Sequence, residues 1–190
     1  MVTAPTTNAD SLRADSARVR ARMLAAARER VDAGDLELPM NAIAKAAGVG
    51  VGTVYRHFPS RQALLESLAA QSLESLVGDA VEAAGNPDVT AGLTKLLRAA
   101  LRCQLTDPAL AVVLAASDAT CLETMHLSRE LGSATGRLLD RARAEGVIRR
   151  DVTADDIRRL MCGVQHAVRI GAAGDADRYL EILLNGLKPL

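Results

Sequence analysis

Thr53, Tyr55, Arg56 and His57 stand within five residues of one another, just behind Gly50 and Gly52. They bring together a hydroxyl, a phenol, a guanidinium and an imidazole, all able to donate hydrogen bonds to the edges of bases or to phosphate oxygens. At about 100° per residue, Gly52, Thr53 and Arg56 fall on one side of a helix, with Tyr55 and His57 on its two edges. Short residues in the middle let a backbone approach a groove floor, and one long donor can read a base edge. Val54 and Phe58 fall on the opposite side, where Ile43 and Ala47 of a preceding short helix can cover them. Gly48 then occupies the turn, where a chain leaving a helix often needs the left-handed backbone that glycine adopts without steric cost. Gly50 is the expected N-cap of the second helix. The pattern is that of a helix-turn-helix presenting a polar face to duplex DNA.

Other side chains offer other chemistry. His126, His166, Asp118 and Glu123 are potential acids or bases, but no nucleophile–base pair accompanies them. Cys162 and His166 have the spacing of two ligands on one helix face, with no second pair to complete a metal set. An enzyme, a metal site and a resident cofactor are therefore not expected. Cys103, Cys121 and Cys162 are odd in number and far apart, as free thiols in a reducing compartment would be.

Around the polar helix the match becomes specific. Ile43-Ala44, Ala47-Gly48-Val49, Gly52-Thr53-Val54-Tyr55-Arg56-His57-Phe58 and Ser60-Arg61-Gln62-Ala63-Leu64-Leu65 together resemble the DNA-binding signature of the tetracycline-repressor (TetR) family. The resemblance extends over roughly Arg18 to Leu68 and includes a bracing helix from Val19 to Ala33. It implies that Asn41, Val51, Gly52 and Thr53 approach bases and that Tyr55, His57 and Arg61 hold phosphates. The chain departs from the pattern at Gly50 and Pro39, where the family often carries a hydroxyl residue.

The 190 residues, 49% of them hydrophobic, allow a small domain and a larger one. Residues 1–67 hold nine Lys/Arg against seven Asp/Glu, leaving fourteen against sixteen for the rest, so the segment bearing the motif is mildly positive. Phosphate attraction depends on local patches more than on totals, and this balance permits DNA binding without requiring it. Arg13, Arg18, Arg20, Arg22, Arg28 and Arg30 crowd the region before the motif. The Pro/Thr/Asn/Ala-rich start reads as an unfolded arm over 1–15, able to reach DNA backbone or simply solvated. No stretch approaches the length of an apolar membrane span and no secretory leader is evident, so a soluble cytoplasmic protein without a membrane partner is expected.

No segment alternates like a strand. The chain reads as all-α with about nine helices: a three-helix DNA-binding domain over 16–66 and a helical ligand-binding and dimerisation domain over 67–190. Ser60 is the expected N-cap of a long helix running to about Ala84, Asn86-Pro87-Asp88 separates it from the next, and Asp107-Pro108 starts a short one. Thr120 with Glu123, and Thr153 with Asp156, have capping-box spacing.

The last two helices carry two faces each. Gly163, Ala167 and Gly171 form a slim ridge beside an apolar side, and Tyr179, Leu183 and Leu187 belong to a final helix apolar over more of its circumference than a one-sided surface helix requires. These faces predict a homodimer through a four-helix bundle, the alternative being that they pack within one subunit. Two copies would read a palindromic operator with recognition helices about 35 Å apart.

The family resemblance further implies a small-molecule effector in a cavity among the middle helices, whose binding tilts the linking helix and releases DNA. These helices lack aromatic residues, so an aliphatic pocket is expected, with Cys103, Gln104, Thr124, Met125 and Gln165 as candidate lining. Control by thiol oxidation or by a protein partner is the alternative.

Overall fold

The computed structural model describes the backbone of residues 7–116, 118–172 and 174–189. Among these residues there are nine helices and no strand: α1 (Thr7–Asp32), α2 (Met40–Ala47), α3 (Val51–His57), α4 (Arg61–Gly85), α5 (Val89–Thr106), α6 (Pro108–Ala115), α7 (Leu122–Ala144), α8 (Ala154–Ile170) and α9 (Asp175–Gly186). The chain divides into two compact units, the first ending at Leu68 and the second beginning at Ala69, so the division falls inside α4.

In the first unit, α2 packs against both α1 and α3. Met23, Ala27, Val31, Ile43, Ala47, Val54, Phe58, Leu64 and Leu65 form its core. Polar bonds lock the first turns of α4 to α1: Arg28 donates to the Leu68 carbonyl at 2.6 Å and Arg20 to the Ser67 hydroxyl at 3.1 Å. The α1–α2 turn is held by Asp35, which accepts from Arg30 and from the amides of Glu37 and Leu38. Leu38 sits at φ 46°, a strained conformation for a residue with a side chain, and is buried all the same.

Helix α1 starts earlier than the sequence pattern indicates. Residues 7–15, expected in an unfolded arm, are helical, while residues 1–6 of that arm lie outside the described residues. Ser11 to Arg18 are exposed, so no burial explains this turn-by-turn extension. It propagates from a helix already nucleated against α2, through Leu, Arg and Ala residues that favour helix and an Asp15–Arg18 ion pair at 3.5 Å.

In the second unit, α5 is the hub, packing on α6, α7, α8 and α9. Asp88 caps α5 through the Ala91 amide, Asp107 caps α6 through the amides of Ala109 and Leu110, and Thr153 and Asp156 close a reciprocal capping box on α8. The start of α7 differs from expectation: its N-cap is Cys121, one residue beyond Thr120. Spacing alone leaves such a one-residue ambiguity, which tertiary packing resolves. Where α4 meets α5, a Cβ on Gly92 would lie 2.7 Å from the Ala83 carbonyl oxygen, so only glycine allows this approach. Arg141 from α7 secures the same corner, donating to the carbonyls of Ala84 and Asn86 at 2.8 and 2.9 Å.

Candidate nucleic-acid interface and apolar cavity

Helix α3 has two unlike sides. Val54 and the following Phe58 are 0% and 1% exposed, anchoring the helix on the unit's core, whereas Val51, Gly52, Tyr55 and Arg56 face solvent. Gly48 closes α2 in the left-handed conformation at φ 65°, and Gly50 is the extended N-cap of α3. No atom lies within 4 Å of a Cβ built on Gly52, so the middle of this face is open. Thr53 and His57 are half-buried along its edges. The Arg56 guanidinium donates to the Thr53 hydroxyl at 3.0 Å and so lies along the helix.

Asn41, near the start of α2, is exposed, and its side-chain oxygen accepts from the Ala42 amide at 2.8 Å. Arg61 is half-buried and its Nε donates to the Leu36 carbonyl at 2.8 Å, which gives it a structural task in fastening α4 to the α1–α2 turn. Arg20 adds a contact that sequence reasoning missed: its guanidinium stacks 5.0 Å from the centre of the buried Phe58 ring, so α1 helps hold the end of α3. Its only sequence signal was membership of the arginine cluster on α1.

Within the second unit lies a cavity of about 540 Å³, inside the size range that takes a drug-sized molecule. Leu76 of α4, Leu96 and Leu97 of α5, Val113 and Leu114 of α6, Leu131 of α7 and Ile157 and Met161 of α8 make its wall aliphatic. Of the five expected lining residues, Gln104 and Met125 reach it. Cys103, Thr124 and Gln165 do not: they lie on helix faces turned elsewhere, Thr124 and Gln165 buried and Cys103 half-buried. Thr135, Ser128, Arg129 and Arg158 line the cavity without having been anticipated, because five helices far apart in sequence contribute to it.

Two of the charged groups around the cavity are engaged with one another. Arg158 donates to the Leu114 carbonyl and to Asp155, and Asp155 also takes Arg159. Gln104 is 2% exposed, and its Oε1 has no hydrogen-bond partner among the described residues.

Burial pushes the thiol of Cys103 up, with Asp79 and Asp107 adding to the effect and Arg102 opposing it. Burial likewise pushes Cys162 up. Among the described residues no group of His, Cys, Asp and Glu is arranged to hold a metal, and no helix is long and apolar enough to cross a membrane.

On α8 and α9 the candidate interface residues separate. Gly163 is exposed and open, and Ala167, Tyr179 and Leu183 are half-buried. Leu187 is a correction: it is 3% exposed within its own subunit, because α9 folds back to meet the loop at Arg149, whose amide donates to the Leu187 carbonyl. Gly171 is the C-cap of α8 and so ends the ridge. Leu160, Ile170 and Ile182, at 44%, 75% and 57% exposure, are the large apolar residues these elements leave uncovered.

Comparison with known proteins decides the family. Residues 23–68 match the bacterial regulatory proteins of the tetR family, and residues 88–189 match the C-terminal domain of SbtR-like transcriptional regulators. The chain belongs to the TetR family. It is thus a DNA-binding transcriptional regulator, in a family of transcription factors and not of enzymes. The TetR transcriptional regulator SCO0520 from Streptomyces coelicolor is 27% identical, with a TM-score of 0.54, over 90% of this chain and 98% of its own. Two further solved structures share the fold at 20% identity and a TM-score of 0.62. They are PfmR from Thermus thermophilus, over 90% of this chain and 96% of its own, and RolR in complex with resorcinol, over 93% and 90%. No curated protein matches this chain.

Proposed function

We propose that this TetR-family protein is a cytoplasmic repressor that binds a palindromic operator as a homodimer and leaves it when a small apolar molecule fills the cavity. The two-sided character of α3 carries the reading: a helix fixed by Val54 and Phe58 offers Val51, Gly52, Tyr55 and Arg56 to solvent. DNA reading belongs to residues 16–66, with Asn41, Val51, Gly52 and Thr53 at base edges and Tyr55, His57, Arg56 and Arg61 as donors around them. Ligand binding and dimerisation belong to 67–190. Leu76 lines the cavity from the same helix whose first turns belong to the reading unit, so a ligand that shifts α4 is coupled to the head it carries. By linkage, such a ligand weakens operator binding by the factor that operator weakens ligand binding. A protein of this fold holds resorcinol, which supports a small-molecule effector here.

Dimerisation through α8 and α9 has support in the exposed Leu160 and Ile182, because apolar surface of this kind is costly to leave in water. Thiol control has less: burial raises Cys103 and Cys162, which lowers the thiolate fraction that oxidants attack. The test is selection of duplexes from a random pool by the purified full chain, followed by sedimentation of the complex. Enrichment of a two-fold symmetric sequence bound by two chains supports the reading; retention of no sequence at low salt overturns it.

A further inference from the structure

We propose that the cavity takes a neutral, largely aliphatic molecule carrying one hydrogen-bond donor, such as an alcohol, which Gln104 anchors at the buried end. This rests on the effector-cavity reading above and specifies its chemistry. The Oε1 of Gln104 is buried without a partner among the described residues, on a cavity wall that Leu96 and Leu97 of α5 and Val113 of α6 otherwise make apolar. A buried acceptor left unpaired is unfavourable, and a ligand that donates to it removes that penalty on binding. Discrimination follows from the same bond, since a molecule of equal shape lacking the donor leaves Oε1 unpaired.

Charge excludes the obvious rival, a carboxylate. Arg158 is committed to Leu114 and Asp155, and Asp155 is shared with Arg159. That leaves Arg129 and Asp118, one cation and one anion, both exposed at the cavity. An anionic head would find a neutral amide and no cation at the buried end, and a solvent-screened guanidinium outside. The wall carries no aromatic ring on which a planar ligand could stack, so the body is aliphatic.

The test is calorimetric titration of the full chain with three probes of matched length: 1-octanol, heptyl methyl ether and octanoate. The expected result is octanol binding about tenfold more tightly than the ether, one well-made hydrogen bond's worth, with octanoate weaker than octanol. Gln104→Met, of similar volume, then abolishes the preference for octanol over the ether while leaving ether binding in place. Equal affinity for octanol and the ether in the unaltered protein overturns the anchor even if the variant fails to fold. Octanoate binding most tightly, and weakening in Arg129→Ala, overturns the neutral class. Binding of none of the three removes the effector-cavity reading itself, and the proposal with it.

Discussion

Arg56 Nη2, on the exposed face of α3, and Thr53 Oγ1, at its half-buried edge, lie 3.0 Å apart, about one helical turn from each other. The long cation is therefore pre-set along the helix axis with its remaining donors free to turn outward, which lowers the entropy lost when it contacts a base. Thr53→Val keeps the shape and removes the tether. Specific operator affinity should fall about fivefold, roughly 1 kcal/mol, with little change on random duplex. Arg56→Ala should go further, relaxing base preference at one position by about 1–3 kcal/mol. Competition titrations against single-position operator variants read both effects; an unchanged preference profile for Arg56→Ala would remove it from base reading.

Tyr55 is half exposed at the edge of the same face. If its hydroxyl grips phosphate, Tyr55→Phe should weaken binding to every duplex alike, by about 0.5–1.5 kcal/mol. Fluorescence anisotropy with operator and scrambled DNA checks this. A loss confined to the operator would assign the phenol to base contact instead.

Gly92 and Gly78 should respond in opposite directions to the same substitution. A Cβ at Gly92 meets the Ala83 carbonyl at 2.7 Å, and backbone held in α4 has little freedom to yield. Overpacking of about 1–3 kcal/mol then exceeds the roughly 1 kcal/mol that alanine gains in a helix interior, so Gly92→Ala destabilises. A Cβ at Gly78 meets nothing within 4 Å, so Gly78→Ala should stabilise by about 1 kcal/mol. Urea midpoints at constant slope report both signs.

Dimerisation can be probed at the uncovered apolar residues of α8 and α9. Ile182→Glu places a charge on an exposed position and should leave the monomer folded while weakening association about 10- to 100-fold, roughly 1–3 kcal/mol. Ala167→Leu, which adds bulk to the slim part of α8, should act in the same direction. Sedimentation velocity across a concentration series gives the answer, and intact dimers in both variants would move the interface to another face.

Acid should destabilise the fold through a defined set of carboxylates. The Arg30 hydrogen bond holds Asp35 below the usual range, Arg149 does the same for Asp151, and Thr153 for Asp156, with burial opposing each. A carboxyl group with a lowered folded pKa binds its proton more weakly when folded than when unfolded. Its contribution is therefore present above about pH 4, the unfolded value, and is lost as pH falls through the folded one. Thermal midpoints should stay level near neutrality and drop below about pH 4. Asp35→Asn should remove part of that drop; a variant curve parallel to the parent's would show that the Arg30–Asp35 pair plays no part.

Gly48, Gly50, Ser60, Asp88, Asp107 and the Thr153–Asp156 pair were legible as helix boundaries because each acts on backbone groups within three or four residues of itself. The α3 face was legible for the same reason, since a helix wheel needs only the order of residues. Thr120 misled by one position, and the exposed first turns of α1 left no apolar signature to find.

Sequence alone determined the all-α class and the polar helix, carried by short-range bonds and periodicity, and pointed to the family through the resemblance of its motifs. The tertiary structure alone decided that Gln104 lines a cavity while Cys103 beside it does not, and that Leu187 is covered within its own subunit. It also decided that Gly92 must stay bare against Ala83. Each of those depends on which helix arrives opposite, and long-range packing is set by the whole core together, not by any local pattern.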